Sequence, residues 1–145
     1  VCRRCWFCRM GKHNLCPHRK PIGFAVDGAF AEYIKVPYIN VHKLPNNISL
    51  EEAALVEPIA VAVHGVIERA QVTAGDTTVV IGDGCLGHIV AQCARLSGAS
   101  SVIVIGHHDN RLKAAQDVGA DLTINEKKEN PAKILAGYQI DTVLR

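Results

Sequence analysis

No apolar run in this sequence approaches the roughly 18 residues that a membrane-crossing helix needs, and no apolar segment follows a basic start at the N-terminal end, so neither a spanning helix nor a secretory leader is read. Strong charge of one sign is missing too. Lys and Arg number 16 against 14 Asp and Glu, a formal net charge of +2. The basic residues gather in the first 20 positions (Arg3, Arg4, Arg9, Lys12, Arg19, Lys20) and form no extended stripe, which gives little basis for a nucleic-acid partner. Internal repeats and low-complexity tracts are absent as well. What remains is ordinary globular composition, 48% hydrophobic and 21% charged over 145 residues, enough to bury a core and too apolar for disorder. These features point to a cytoplasmic protein with no membrane partner.

Two styles of text follow one another. Residues 1–20 are rich in Cys, Arg and His with little periodicity, the pattern of a loop held by something other than a hydrophobic core. Residues 29–44 carry Phe30, Tyr33, Ile34, Val36, Tyr38, Ile39, Val41 and Leu44, closed by Pro45-Asn46-Asn47, and read as the β-rich end of a β domain. Ser49 with Glu52 is a capping-box signature opening a short helix, and a second helix is expected from Pro58 to about Ala70. Alternating units come next: strand 77–81, helix 85–97, strand 101–105, helix 110–118, strand 122–124, helix 131–135 and strand 140–144. Strands separated by helices of this length imply βαβ units and a parallel sheet. The chain opens on Val1 and closes at Arg145 inside an expected strand, so it reads as a piece of a longer protein.

Four cysteines, Cys2, Cys5, Cys8 and Cys16, follow the spacing C-x2-C-x2-C-x7-C. Short spacings let one tight turn deliver several thiolates to a tetrahedral ion at about 2.3 Å. Nearby Lys, Arg and His offset the charge of gathered thiolates. The competing readings are disulfides and free buried thiols, but residues three apart in a tight loop pair poorly and a cytosolic chain does not keep such bridges. Four ligands and no open position describe a structural zinc site.

The quartet, continued by Gly11, Asn14-Leu15-Cys16 and Asp27-Gly28-Ala29-Phe30-Ala31-Glu32-Tyr33, resembles the structural-zinc lobe and adjoining strand of zinc-dependent medium-chain alcohol dehydrogenases of the polyol and L-threonine type. The likeness continues through Glu57-Pro58 and the glycine-rich turn, so it spans nearly the whole chain. It implies an α/β fold: residues 1–48 as the C-terminal part of a GroES-like catalytic domain with its zinc lobe, and residues 49–145 as linking helices and the N-terminal part of a doubly wound Rossmann domain. It also implies hydride transfer between a small-molecule secondary alcohol and NAD(P), and a homo-oligomer when complete.

Gly82-Asp83-Gly84-Cys85-Leu86-Gly87 matches G-x-G-x-x-G, a weak signal alone in a chain with 12 glycines. Its place after the apolar stretch Thr77-Thr78-Val79-Val80-Ile81 and before a helix is what a dinucleotide fingerprint requires. Gly82 would make the tight turn, Gly84 would admit a pyrophosphate to the backbone, and Gly87 would pack helix on strand, with helix N-terminal amides facing the phosphates. The bland alternative is an ordinary strand-to-helix turn. Asp83 is an odd neighbour for a pyrophosphate, and its side chain is expected to point away.

The end of the second strand falls at Gly106, 19 positions after Gly87, where NAD-preferring relatives place an acid for the ribose hydroxyls. Gly106-His107-His108 with Arg111 leaves space and cationic donors for a 2′-phosphate, so the reading leans to NADP over NAD. Asp109 serving the ribose, with His107 and His108 as solvated loop residues, is the alternative. Glu57 is an ionisable group in an apolar stretch. The resemblance puts it at the catalytic zinc, with a Cys and a His-Glu pair supplied upstream of Val1, while the plainer reading is a helix N-terminal Glu favoured by the macrodipole. His64 reads as packed or solvated, and Cys85 and Cys93 as small fillers. The isolated chain is expected to be inactive. A nucleic-acid-binding zinc module, with Trp6 and the basic residues on phosphates, is the competing class. It leaves the glycine-rich turn unexplained.

Overall fold

The computed structural model describes all residues, Val1–Arg145. The chain divides into two compact units, Val1–Leu44 and Pro45–Arg145.

The first unit is almost all loop. It holds one short helix, α1 (Trp6–Arg9), and two 3-10 turns at His13–Leu15 and Tyr38–Asn40. The β-rich reading of residues 29–44 is not realised as strands: the unit's sole pairing is an isolated bridge between Ile22 and Val26. A strand is stable only with a hydrogen-bonded neighbour, and none is supplied within these residues. Phe30, Tyr33 and Tyr38 accordingly lie exposed. Only Cys8 and Cys16 are buried in this unit.

The second unit opens with α2 (Leu50–Ala53) and α3 (Val56–Val63), the latter continuing as a π-helical turn over His64–Arg69. Ser49 caps α2 in both directions: its hydroxyl accepts from the Glu52 amide at 3.2 Å, and the Glu52 carboxylate accepts from the Ser49 amide at 2.8 Å. Then come β1 (Thr77–Ile81), α4 (Cys85–Leu96), β2 (Ser101–Gly106), α5 (Asp109–Asp117), β3 (Leu122–Asn125), α6 (Pro131–Leu135) and β4 (Thr142–Leu144). The strands form one parallel sheet in the order β3-β2-β1-β4, with Val79 opposite Ile103 and Val143. Their β-branched residues suit a sheet buried on both faces. Val80, Val102 and Val104 pack on one face with Ala91 and Ala94 of α4 and Leu112 and Ala115 of α5. Val79, Ile103, Ile105 and Ile124 face the other side, against Ile134 and Leu135 of α6. Helices on both faces of a parallel sheet make the doubly wound α/β arrangement. No helix is long and apolar enough to cross a membrane.

Candidate metal centre and nucleotide turn

The cysteine quartet converges on one point. The four sulfur atoms all lie within 4.8 Å of one another, with Cys16 Sγ 3.7 Å from Cys2 Sγ and 3.9 Å from Cys5 Sγ. A tetrahedron of sulfurs at about 2.3 Å from zinc has edges of about 3.8 Å. Cys2 and Cys5 come from the turn before α1, which passes through Arg3 with φ +59°, Cys8 from α1 itself, and Cys16 from just after the 3-10 turn. Backbone amides already serve the sulfurs: Cys5 N–H points at Cys2 Sγ (3.3 Å) and Cys2 N–H at Cys16 Sγ (3.4 Å).

These amides decide which sulfurs ionise. The N–H groups of Arg4 and Cys5 bring Cys2 down to about 6, and the Cys2 amide lowers Cys16. Burial, with hydrogen bonds to the neighbouring sulfurs, pushes Cys8 up to about 12. Four mutually close thiols cannot all lose their protons unaided, and a divalent cation supplies the charge that lets the last one ionise. The donor set therefore fits a closed four-sulfur zinc site with no position left for substrate.

The glycine-rich turn joins β1 to α4 at the carboxyl end of the sheet. Gly82 has φ +127°, a region that L side chains rarely adopt. A Cβ on Gly87 would stand 2.0 Å from the Gly82 carbonyl oxygen, so the first turn of α4 rests directly on the loop. Gly84 is extended at the N-cap of α4, and a Cβ there would meet nothing within 4 Å. The first turn of α4, Cys85, Leu86 and Gly87, thus presents free amides beside an open approach. Cys85 is exposed and Leu86 nearly half so, while Cys93, deeper in α4, is buried and its thiol is raised by that burial.

Asp83 takes a position that the spacing did not suggest. Its side chain is buried beneath the loop after β2, where its Oδ2 accepts from the amides of His107 (3.0 Å) and His108 (2.7 Å) and meets His108 Nδ1 at 3.1 Å. Burial opposes its ionisation, but the N–H groups of His108 and His107 and the His108 ring prevail and hold it at about 2. The expected space at Gly106 is consequently filled: a Cβ there would lie 2.5 Å from Asp83 Cβ and 2.7 Å from Oδ2. The His107 ring is likewise engaged, 3.3 Å from Glu126 Oε1. Asp83 thus occupies the room beside Gly106, and the His107 and His108 rings each face a carboxylate. Asp83, His107 and His108 also lie close enough to share an ion, but Asp83 Oδ2 is already committed to two amides. Arg111 sits exposed in the first turn of α5, and Asp109 is paired with Lys128 and Asn125.

Glu57 is exposed in the first turn of α3. No group of His, Cys or carboxylate ligands gathers around it, so this chain contains no three-ligand site there. His64 pairs with Glu68 one turn on, at 2.8 Å, in solvent.

Comparison with known proteins brings the two sites into one frame. Residues 1–46 match the model of the alcohol dehydrogenase GroES-like domain, and residues 85–144 match that of the zinc-binding dehydrogenases. The L-threonine 3-dehydrogenase of Bacillus velezensis is 40% identical over 99% of this chain and 42% of its own length. The chain belongs to the zinc-dependent medium-chain alcohol dehydrogenase family. Among solved members, an Escherichia coli alcohol dehydrogenase complexed with NADH superposes with a TM-score of 0.92 at 31% identity, covering 99% of this chain and 43% of that one. A zinc-binding dehydrogenase of Sinorhizobium meliloti bound to NADP gives 0.89 at 33%, covering 97% and 41%. The chain thus spans about two fifths of the length of the dehydrogenases it matches. The cysteine-rich segment falls inside the first match and the chain from α4 onward inside the second, and nothing in either supports a nucleic-acid module. Sequence reasoning turned the Asp83 side chain away from the pyrophosphate but did not find its destination, the amides of His107 and His108.

Proposed function

We propose that this chain carries the structural-zinc lobe and the first half of the nucleotide domain of an NAD(P)-linked alcohol dehydrogenase, which moves a hydride between a polyol- or L-threonine-like secondary alcohol and the nicotinamide ring. The observation that carries the reading is the geometry of the turn: Gly82 reversing at positive φ, Gly84 open, Gly87 against the Gly82 carbonyl, and a 12-residue helix with its amide end toward the opening. A pyrophosphate approaching there would meet an open backbone at Gly84.

Cys2, Cys5, Cys8 and Cys16 would hold one zinc that shapes residues 1–48, and residues 49–145 would carry the nucleotide. Gly82, Gly84, Cys85, Leu86 and Gly87 would receive the pyrophosphate through backbone amides, while Gly106, His107 and Arg111 would border the adenosine ribose. Glu57 is proposed as one ligand of a second zinc in the full-length enzyme. When bound, that zinc polarises the alcohol oxygen and lowers its pKa. Within this chain Glu57 supplies one negative oxygen donor from the positive end of α3. A cytoplasmic homo-oligomer is the setting we infer for the full-length enzyme.

The test is to mix the full-length enzyme with L-threonine, sorbitol or a simple secondary alcohol and either nucleotide, and to follow reduced nicotinamide by absorbance. Reduction that needs both alcohol and nucleotide, and that Glu57→Ala abolishes while nucleotide still binds, supports the reading. Absence of nucleotide binding by calorimetry overturns it.

A further inference from the structure

We propose that Asp83 sets the nucleotide preference of this protein, acting from inside the glycine-rich turn as the acid that the end of β2 lacks, and that it selects NAD over NADP. The inference deepens the nucleotide-binding reading and rests on it.

In doubly wound folds the adenosine ribose lies beyond the first glycine-rich turn, next to the end of the second strand, and an acid there recognises the ribose hydroxyls and repels a 2′-phosphate. Here the strand ends in Gly106, and the volume that a side chain would occupy contains the Asp83 carboxyl group. The acid at this corner comes from the glycine-rich turn, its carboxyl group beside Gly106 and beneath the His107–His108 amides. Two further features disfavour a phosphate dianion. The amides of His107 and His108, the backbone donors nearest that corner, both donate to Asp83 Oδ2. The imidazoles beside this corner are each turned to a carboxylate, His108 to Asp83 and His107 to Glu126. Arg111 is exposed in the first turn of α5, and Asp109 is balanced by Lys128. A second anion brought to this corner finds committed donors and like charge.

The carboxylate is the expected form at any working pH, since its amide partners hold it near 2. Asp83→Asn keeps the shape, removes the charge and leaves the amide partners with a weaker acceptor. Asp83→Ser shortens the side chain and opens the corner.

The test titrates the chain, loaded with zinc, separately with NAD+ and NADP+ by calorimetry, then repeats this with Asp83→Asn and Asp83→Ser, each checked for its native melting transition. The expected result is a wild-type preference for NAD+ of about tenfold or more, which falls by about tenfold in either variant mainly through tighter NADP+ binding. A merely structural role would weaken both nucleotides together. Equal wild-type affinities, or a preference unchanged in a folded variant, would overturn the inference while leaving the nucleotide site standing. Failure of both nucleotides to bind the wild-type chain overturns the nucleotide reading itself and the inference with it. If neither variant folds, the wild-type ratio alone decides.

Discussion

The two units of this chain are held together by different physics. In Val1–Leu44 the two buried residues are metal-ligand candidates, Cys8 and Cys16, while Phe24, Phe30, Tyr33 and Tyr38 stay in solvent. In Pro45–Arg145 two apolar clusters, one on each face of a four-stranded sheet, supply the core, with Ile103 and Ile124 fully buried. A metal takes the place of a hydrophobic core where the chain is too loop-rich to build one. The contrast extends to tolerance of change. The first unit depends on four sulfur atoms, the second on many small contacts and a few positions where backbone meets backbone.

The sharpest way to break this contrast is to remove the metal. Chelation at mildly acidic pH, or Cys8→Ser, should abolish protection of Val1–Leu44 in hydrogen exchange and leave the amides of β1 and β2 protected, because zinc binding in such sites supplies most of the folding free energy, about 10 kcal/mol or more. Equal loss in both units would erase the distinction. Next in size is Gly87→Ala. Its added methyl collides with the Gly82 carbonyl, so denaturant unfolding of the second unit should show a loss of about 3 kcal/mol together with weakened nucleotide binding, and unchanged zinc content.

Acid should separate the units as well. Asp83 is held at about 2 in the folded chain, below the ordinary value of 3.8. A depressed carboxyl stabilises the fold above its unfolded pKa and ceases to do so as pH falls through the folded one. Stability of the second unit should therefore drop by about 2 kcal/mol between roughly pH 4 and pH 2, and by less in Asp83→Asn, as read from urea midpoints at each pH. The smallest expected effect is Ser49→Ala, which removes the hydroxyl half of the α2 capping box and should cost about 1 kcal/mol in the same urea assay.

Much of the second unit could be read from the residues. Thr77–Ile81 and Pro131–Leu135 fall where the apolar run and the helix-opening proline put them, and the capping pair at Ser49 and Glu52 forms both its hydrogen bonds. Local signals succeed there because each element meets its partners within the chain. The β-patterned stretch at 29–44 forms no strand for the converse reason: pattern specifies which face is apolar, but a ladder needs a neighbour. The quartet's convergence was legible from spacing because three ligands sit within one turn and the fourth returns after eight residues. Asp83 was not, since spacing counts along the chain, whereas the corner at Gly106 is filled from a different strand end. Its hydrogen bonds to His107 and His108 span 24 and 25 positions, a distance at which no local pattern speaks.

Elemental analysis of the purified chain tests the central claim most directly. The account requires about one zinc per chain, absent from the Cys8→Ser, Cys16→Ser double variant, while far-UV circular dichroism of that variant retains the helical signal of the second unit. A chain purified without stoichiometric zinc, or a double variant that keeps it, would contradict the account.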